Sequence, residues 1–144
     1  MSEAKVLSFE TGVKEYRLND ACSVRFNPTD TFFAERVFNT FDILEKKREG
    51  YHEQAKKMAD TREIFDFMRE RDKELRELID GVFGVPVCDA TYEGVNIVTA
   101  MSGGFPVWVN LFFAVIDELD TAFAREQKLT NPRIQKYMAK YGKK

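Results

Sequence analysis

From Phe33 to Val82 apolar residues recur alternately three and four positions apart, and no Pro interrupts them. Val37, Phe41, Leu44, Tyr51, Ala55 and Met58 fall on one register, and Ile64, Met68, Leu75, Leu78 and Val82 on a second. This spacing is helical, and it draws a narrow apolar seam along rods otherwise coated with Lys, Arg, Asp and Glu. A rod of this kind requires something packed against its seam.

The ends of the rods carry their own signals. In Asn27-Pro28-Thr29-Asp30, Asn27 is expected to cap a helix, Pro28 to occupy its first turn and Asp30 to complement its positive end. That helix should run through Leu44 and, across Gly50, to about Met58. Asp60-Thr61-Arg62-Glu63 matches a capping box and begins a second helix ending near Gly81. The chain either turns back at Asp60 or continues as one rod. An antiparallel hairpin is favoured, because each half offers a seam that the other can cover.

Before the rods the period changes to two. Lys5 to Glu10, Val13 to Leu18 and Cys22 to Phe26 alternate or read as strands, separated by turns at Thr11-Gly12 and Asn19-Asp20. Two or three strands alone are marginal in water, so this meander must lean on the helices. After the rods, Gly81, Gly84, Pro86, Gly94, Gly103 and Gly104 punctuate an irregular connector. A last major helix opens at Gly104-Phe105-Pro106, with Trp108, Leu111, Phe112, Val115, Leu119 and Phe123 on its core face, and Asn131-Pro132 repeats the earlier cap before Ile134, Tyr137 and Met138. The expected architecture is a single α+β domain over residues 1–144: meander 1–27, long charged helical hairpin 28–81, connector 82–104, core helix 105–126 and basic tail 127–144.

Composition narrows the function classes. With 44% hydrophobic and 32% charged residues, the chain is expected to be a soluble folded protein. A content of 13 Phe, 5 Tyr and 1 Trp implies large core volumes or adhesive interfaces. The net charge of −2 sets up no field favouring nucleic acid or an anionic membrane, and no apolar run reaches the roughly 20 residues of a membrane span. Cys22 and Cys88 lie far apart and no leader-like segment opens the chain, so a reducing cytoplasm with free thiols is expected. The tail alone is one-sided: Arg133, Lys136, Lys140, Lys143 and Lys144 come without an acid, as a solvated end or as a contact for an acidic partner.

Reacting groups are hard to find. His52 is the sole histidine, which leaves a zinc site of the usual nitrogen and sulfur type without ligands. The carboxylates Glu45, Glu49, Glu53, Asp66, Glu70, Glu74 and Glu77 are interleaved with Lys and Arg, the pattern of a solvated helical face. Gly103-Gly104 lacks the lysine and hydroxyl of a phosphate loop and reads better as a turn with close packing. No catalytic, metal-ligating or cofactor-binding residue is assigned. A client-binding protein instead needs an accessible apolar surface with anchors at helical spacing. Tyr51, Ala55 and Met58, farthest out on the first rod, are the candidate anchors, with Arg133, Lys136 and Lys140 as candidate basic contacts.

In its succession of parts the chain resembles the tail assembly chaperones of long-tailed bacteriophages and prophages, small helical proteins of phages that infect Gram-positive hosts. The likeness covers about residues 10–126: the strand-rich start, Asn27 to Asp30 opening a charged helix, Leu78-Ile79-Asp80-Gly81-Val82-Phe83-Gly84 closing the next, the Gly-rich connector and the apolar helix Trp108 to Phe123. Ile79-Asp80 with Phe83-Gly84 is its sharpest fragment. The resemblance implies a non-enzymatic protein that self-associates, binds the tape measure protein and recruits tail tube subunits. It would act in the host cytoplasm and leave before the virion is complete, the basic run from Arg133 being an ending that ribosomal frameshifting replaces. A virion structural or regulatory adaptor of the same fold is the alternative, and a small hydrolase or nucleotide-binding enzyme is a third reading.

Overall fold

Asp30 sits just outside the first long helix with extended backbone, and its carboxylate accepts the Phe32 N–H at 3.0 Å, so it is the cap expected of Asn27. Asn27 acts one step earlier: its Oδ1 accepts from the N–H and hydroxyl of Thr29, while its Nδ2 donates to the Thr11 carbonyl. The computed structural model describes residues 3–128 and 139–140. Its elements are β1 (Lys14–Leu18), β2 (Cys22–Phe26), α1 (Thr31–Lys56), α2 (Thr61–Phe83), α3 (Cys88–Thr91), β3 (Met101–Ser102), β4 (Phe105–Pro106) and α4 (Val107–Lys128), an α+β arrangement.

The sheet is smaller than the alternation suggested. β1 and β2 pair antiparallel, with Tyr16 opposite Val24, around a tight turn at Asn19 and Asp20, both at positive φ. Asn and Asp are the residues that tolerate this conformation after glycine. Lys5 to Glu10, expected as the first strand of a meander, joins no ladder, and Val6, Leu7 and Phe9 are exposed. Alternation marks a segment able to become a strand, but only a partner edge makes it one.

The two long helices form the antiparallel hairpin. Arg36 of α1 donates to the Val82 carbonyl of α2 at 3.2 Å, Lys47 meets Glu74 at 2.8 Å, and Tyr51 stands edge-on to Phe67. Asp60 caps α2 by accepting the Arg62 N–H, and Gly84 in the left-handed conformation ends it, one turn later than expected. Val37, Leu44 and Tyr51 of α1 and Met68, Leu75, Ile79 and Val82 of α2 are buried. Each such aliphatic side chain contributes about 1.5–3 kcal/mol on leaving water. The seam is therefore internal to the fold.

Two helices leave a groove along their joint, and α4 fills one side of it. Trp108, Phe112, Val115, Leu119 and Ala122 are buried, with Phe41 of α1 against the Trp108 and Phe112 rings. Phe123, expected on this face, is exposed, because the stripe steps from Leu119 to Ala122 and leaves Phe123 a further 100° round the helix. The sheet closes the base of the hairpin through a stacked row of rings, Tyr16 on Phe26 at 4.5 Å and Phe26 on Phe33 at 4.2 Å, with Phe83 tilted against the last two.

The connector covers the other side, and polar groups of α2 hold it there. Arg76, expected on a solvated face, is largely enclosed: it pairs with Asp72 at 2.8 Å and donates to the carbonyls of Cys88, Tyr92 and Val95. Asp80 accepts the N–H groups of Val87 and Cys88, and Asp72 accepts that of Ile97. Asn96 donates to the Met68 carbonyl and accepts from Val98 and Thr99. With the backbone so tied, Val87, Cys88, Ile97 and Val98 are pressed into the core at full burial.

Removing the guanidinium would take a charged donor from three connector carbonyls and leave the largely enclosed Asp72 without its ion-pair partner, at a cost of about 3 kcal/mol or more. Arg76→Ala is therefore expected to lower the thermal midpoint by roughly 10 °C, and Arg76→Lys, with one compact head group in place of the fork, to recover less than half of that loss. Differential scanning calorimetry of the three proteins measures both, and an Arg76→Ala midpoint within about 2 °C of wild type contradicts the assignment.

Candidate partner-binding surface

A cluster of outward-facing rings lies where α1, α4 and the small β3–β4 hairpin meet. Gly103 and Gly104 form the two-residue turn of that hairpin, both at positive φ, and nothing lies within 4 Å of a Cβ added to either. Their role is conformational, so the close packing expected of them is absent. The turn brings Phe105 edge-on to Phe113 of α4 at 5.2 Å, and Phe113 lies 6.3 Å from Phe41 of α1. Phe38, one helical turn before Phe41, extends the cluster. Phe38 and Phe105 remain 49% and 45% exposed. Beside the β-turn, Met101 is exposed and its sulfur accepts from Arg48 at 3.8 Å. A rigid apolar patch of aromatic rings and a methionine has the composition of a protein interface core.

An open groove of about 1050 Å³ lies elsewhere, between α2 and the connector, with Phe65 and Val95 in its lining. Its charged groups other than Glu93 are paired: Arg76 binds Asp72 and Asp89, Arg69 binds Asp66, and Lys73 binds Glu70. Among the described residues no three His, Cys, Asp or Glu side chains converge as a metal site. His52 stands near the tip of the hairpin, sixteen positions beyond Arg36, which touches the end of α2. At 1.5 Å per residue this is about 24 Å from the base, so His52 does not meet Cys88, which follows α2 there.

The titratable groups of the interior are tuned for silence. Burial, reinforced by the Asp80 carboxylate, pushes the Cys88 thiol far above its ordinary range, which keeps it protonated and poorly nucleophilic. Cys22 is partly enclosed, its sulfur 3.7 Å from the Thr91 hydroxyl. Hydrogen bonding from Lys47 holds the Glu74 carboxyl below its usual range. Tyr51 is only 6% exposed and its hydroxyl closes no hydrogen bond; burial, with Glu74 nearby, pushes it up.

The predicted anchors are thus redistributed. Tyr51 is not a surface anchor, since Phe67 stands edge-on to its ring and the Arg71 guanidinium lies over both rings. Ala55 packs against the core and Met58 is half-buried just past α1. Arg133 and Lys136 lie outside the described residues, while Lys140 is exposed and helical. The patch of Phe38, Phe105 and Phe113 escaped the sequence reading. Phe38 sits off the seam register, and Phe105 beside Pro106 reads as a helix opening. The signal available was the excess of Phe over what one core absorbs. No family model, curated protein or solved structure matches the chain, and no helix among the described residues is long and apolar enough to cross a membrane.

Two tyrosines report on the integrity of this body. Tyr16 donates to Glu118 at 2.7 Å and Tyr92 to the Val107 carbonyl at 3.1 Å. Burial foremost pushes both up to about 12. Between an unfolded value near 10 and the folded one, the unfolded chain gives up protons that the folded chain keeps. Stability is therefore full below pH ~10 and falls as pH rises from there toward 12. Denaturant midpoints measured across this range should fall, and Tyr16→Phe should flatten the slope; a pH-independent midpoint contradicts the tyrosine linkage.

Proposed function

We propose that this chain is a non-enzymatic binding protein, a phage tail assembly chaperone that engages apolar helices of the tape measure protein and recruits tail tube subunits in the host cytoplasm. The observation that carries the binding role is the exposed patch of Phe38, Phe105 and Phe113 on a body whose interior thiol and carboxylates are engaged in structure. Such a patch offers a helical client rings at fixed positions, and recognition of this type reads apolar anchors one and two turns apart. The phage assignment draws on the succession of elements, and in particular on the end of α2: Ile79 is fully buried, Asp80 binds the start of α3, and Phe83 packs on Phe26 and Phe33.

Co-expression with the long helical protein encoded by the same genome tests the reading. The wild-type chain is expected to co-purify with that client and raise its soluble yield several-fold. Phe38→Asp combined with Phe105→Asp should reduce retention at least tenfold while its thermal midpoint stays within about 3 °C of wild type, since exposed positions contribute little to stability. No retention by wild type, or equal retention by the double variant, overturns the proposal. Finding the chain in purified particles would replace the chaperone with a virion component.

A further inference from the structure

The arm ahead of β1 has the pattern of a strand and no sheet. Lys5 to Glu10 forms no backbone ladder, would place Leu7 and Phe9 on one face when extended, and leaves Val6, Leu7 and Phe9 exposed at 84%, 72% and 78%. Its direction is set by a braced corner. Asn27 at the end of β2 donates to the Thr11 carbonyl at 3.0 Å, and Gly12 adopts φ +80 where an added Cβ would collide with the Asn27 amide. Residue 11 is thereby tied to the end of β2, and the arm ahead of it pairs with neither strand of the sheet. The same chain carries an open strand edge. β1 has a partner on one edge only, and a groove of about 380 Å³ opens at its C-terminal end, where Leu18, Val107, Leu111 and Ala114 line it among polar side chains such as Arg17 and Asn110. Six arm residues span about 20 Å and the five of β1 about 17 Å, so the lengths agree.

We propose that the arm of one copy adds as a strand to the free edge of β1 in a second copy, with Leu7 and Phe9 seated in the groove between β1 and α4. A second copy is the occupant because donor strand and acceptor edge lie on one chain and do not pair within it. Exchange removes exposed rings and an open strand edge together, and an edge left open is a template for uncontrolled pairing. The inference concerns self-association alone and stands or falls without any client.

Sedimentation of the full chain provides the test. Wild type is expected to sediment as a dimer or larger at micromolar concentration. Leu7→Asp combined with Phe9→Asp should sediment as a monomer, with the circular dichroism and thermal midpoint of wild type. A monomeric wild type, including one whose arm serves a foreign strand, overturns the proposal, as does assembly unaltered in the double variant. Mixing Leu7→Cys copies with Ala114→Cys copies locates the contact: mild oxidation should link the two kinds to each other well above the wild-type background. Assembly without that link overturns the groove as the acceptor.

Discussion

The chain between α2 and α4 has few regular hydrogen bonds with which to set its own path, and Arg76 supplies the missing ones by donating to carbonyls at three points along it. Everything on that side of the molecule follows. Once Cys88, Tyr92 and Val95 are tied to α2, the intervening apolar residues have only the core to enter, and α4 begins where it can cover the hairpin. The guanidinium is neutralised by Asp72 one turn away, which keeps a nearly enclosed charge from opposing the fold. Asp80 plays the same part at the start of α3. A helix that reads as a charged solvated rod is, on one flank, the frame on which an irregular segment is hung.

This use of charge bears on function. Asp72 and Arg76 line the groove between α2 and the connector, and with Asp80 one turn further along α2 they resemble the makings of an acid–base site. Their hydrogen bonds go to backbone groups along the connector, so freeing any of them for chemistry would loosen it. The thiol of Cys88 is equally committed, by burial and by the neighbouring carboxylate. The apolar side chains behave in the opposite sense. Phe38, Phe105, Phe113, Leu7 and Phe9 are exposed, and rings and aliphatic side chains left at the surface carry a solvation cost that a partner would relieve. The two groups differ in kind: rings on helices suit a helical client, whereas an extended arm with backbone groups to spare suits a sheet edge. They are also separate in place, one on the α1–α4 flank and one beyond the β1–β2 pair, so that self-assembly and client binding need not compete.

Much of this was legible beforehand because it is local. Helical period, the caps at Asp30 and Asp60 and the turn at Asn19-Asp20 depend on residues within a few positions of each other, and the seam of Val37, Leu44, Leu75 and Val82 follows from period alone. The antiparallel hairpin followed from the need of each seam for a cover. What was misplaced depended on distant neighbours. Lys5 to Glu10 has the pattern of a strand and lacks an edge; Tyr51 has the position of a surface anchor and is roofed by Phe67 and Arg71; Arg76 has the spacing of an exposed ion pair and an enclosed role.

By itself, then, the sequence determined the elements, their ends, the α+β class and the scarcity of reacting groups, since periodicity, capping and residue inventory are properties of neighbouring positions. Only the tertiary structure decided which rings are core and which are surface, because helical period places a side chain on a face without saying what lies opposite. The choice between Phe41 inside and Phe38 outside rests on where α4 lies, and that rests on contacts between residues far apart in the chain.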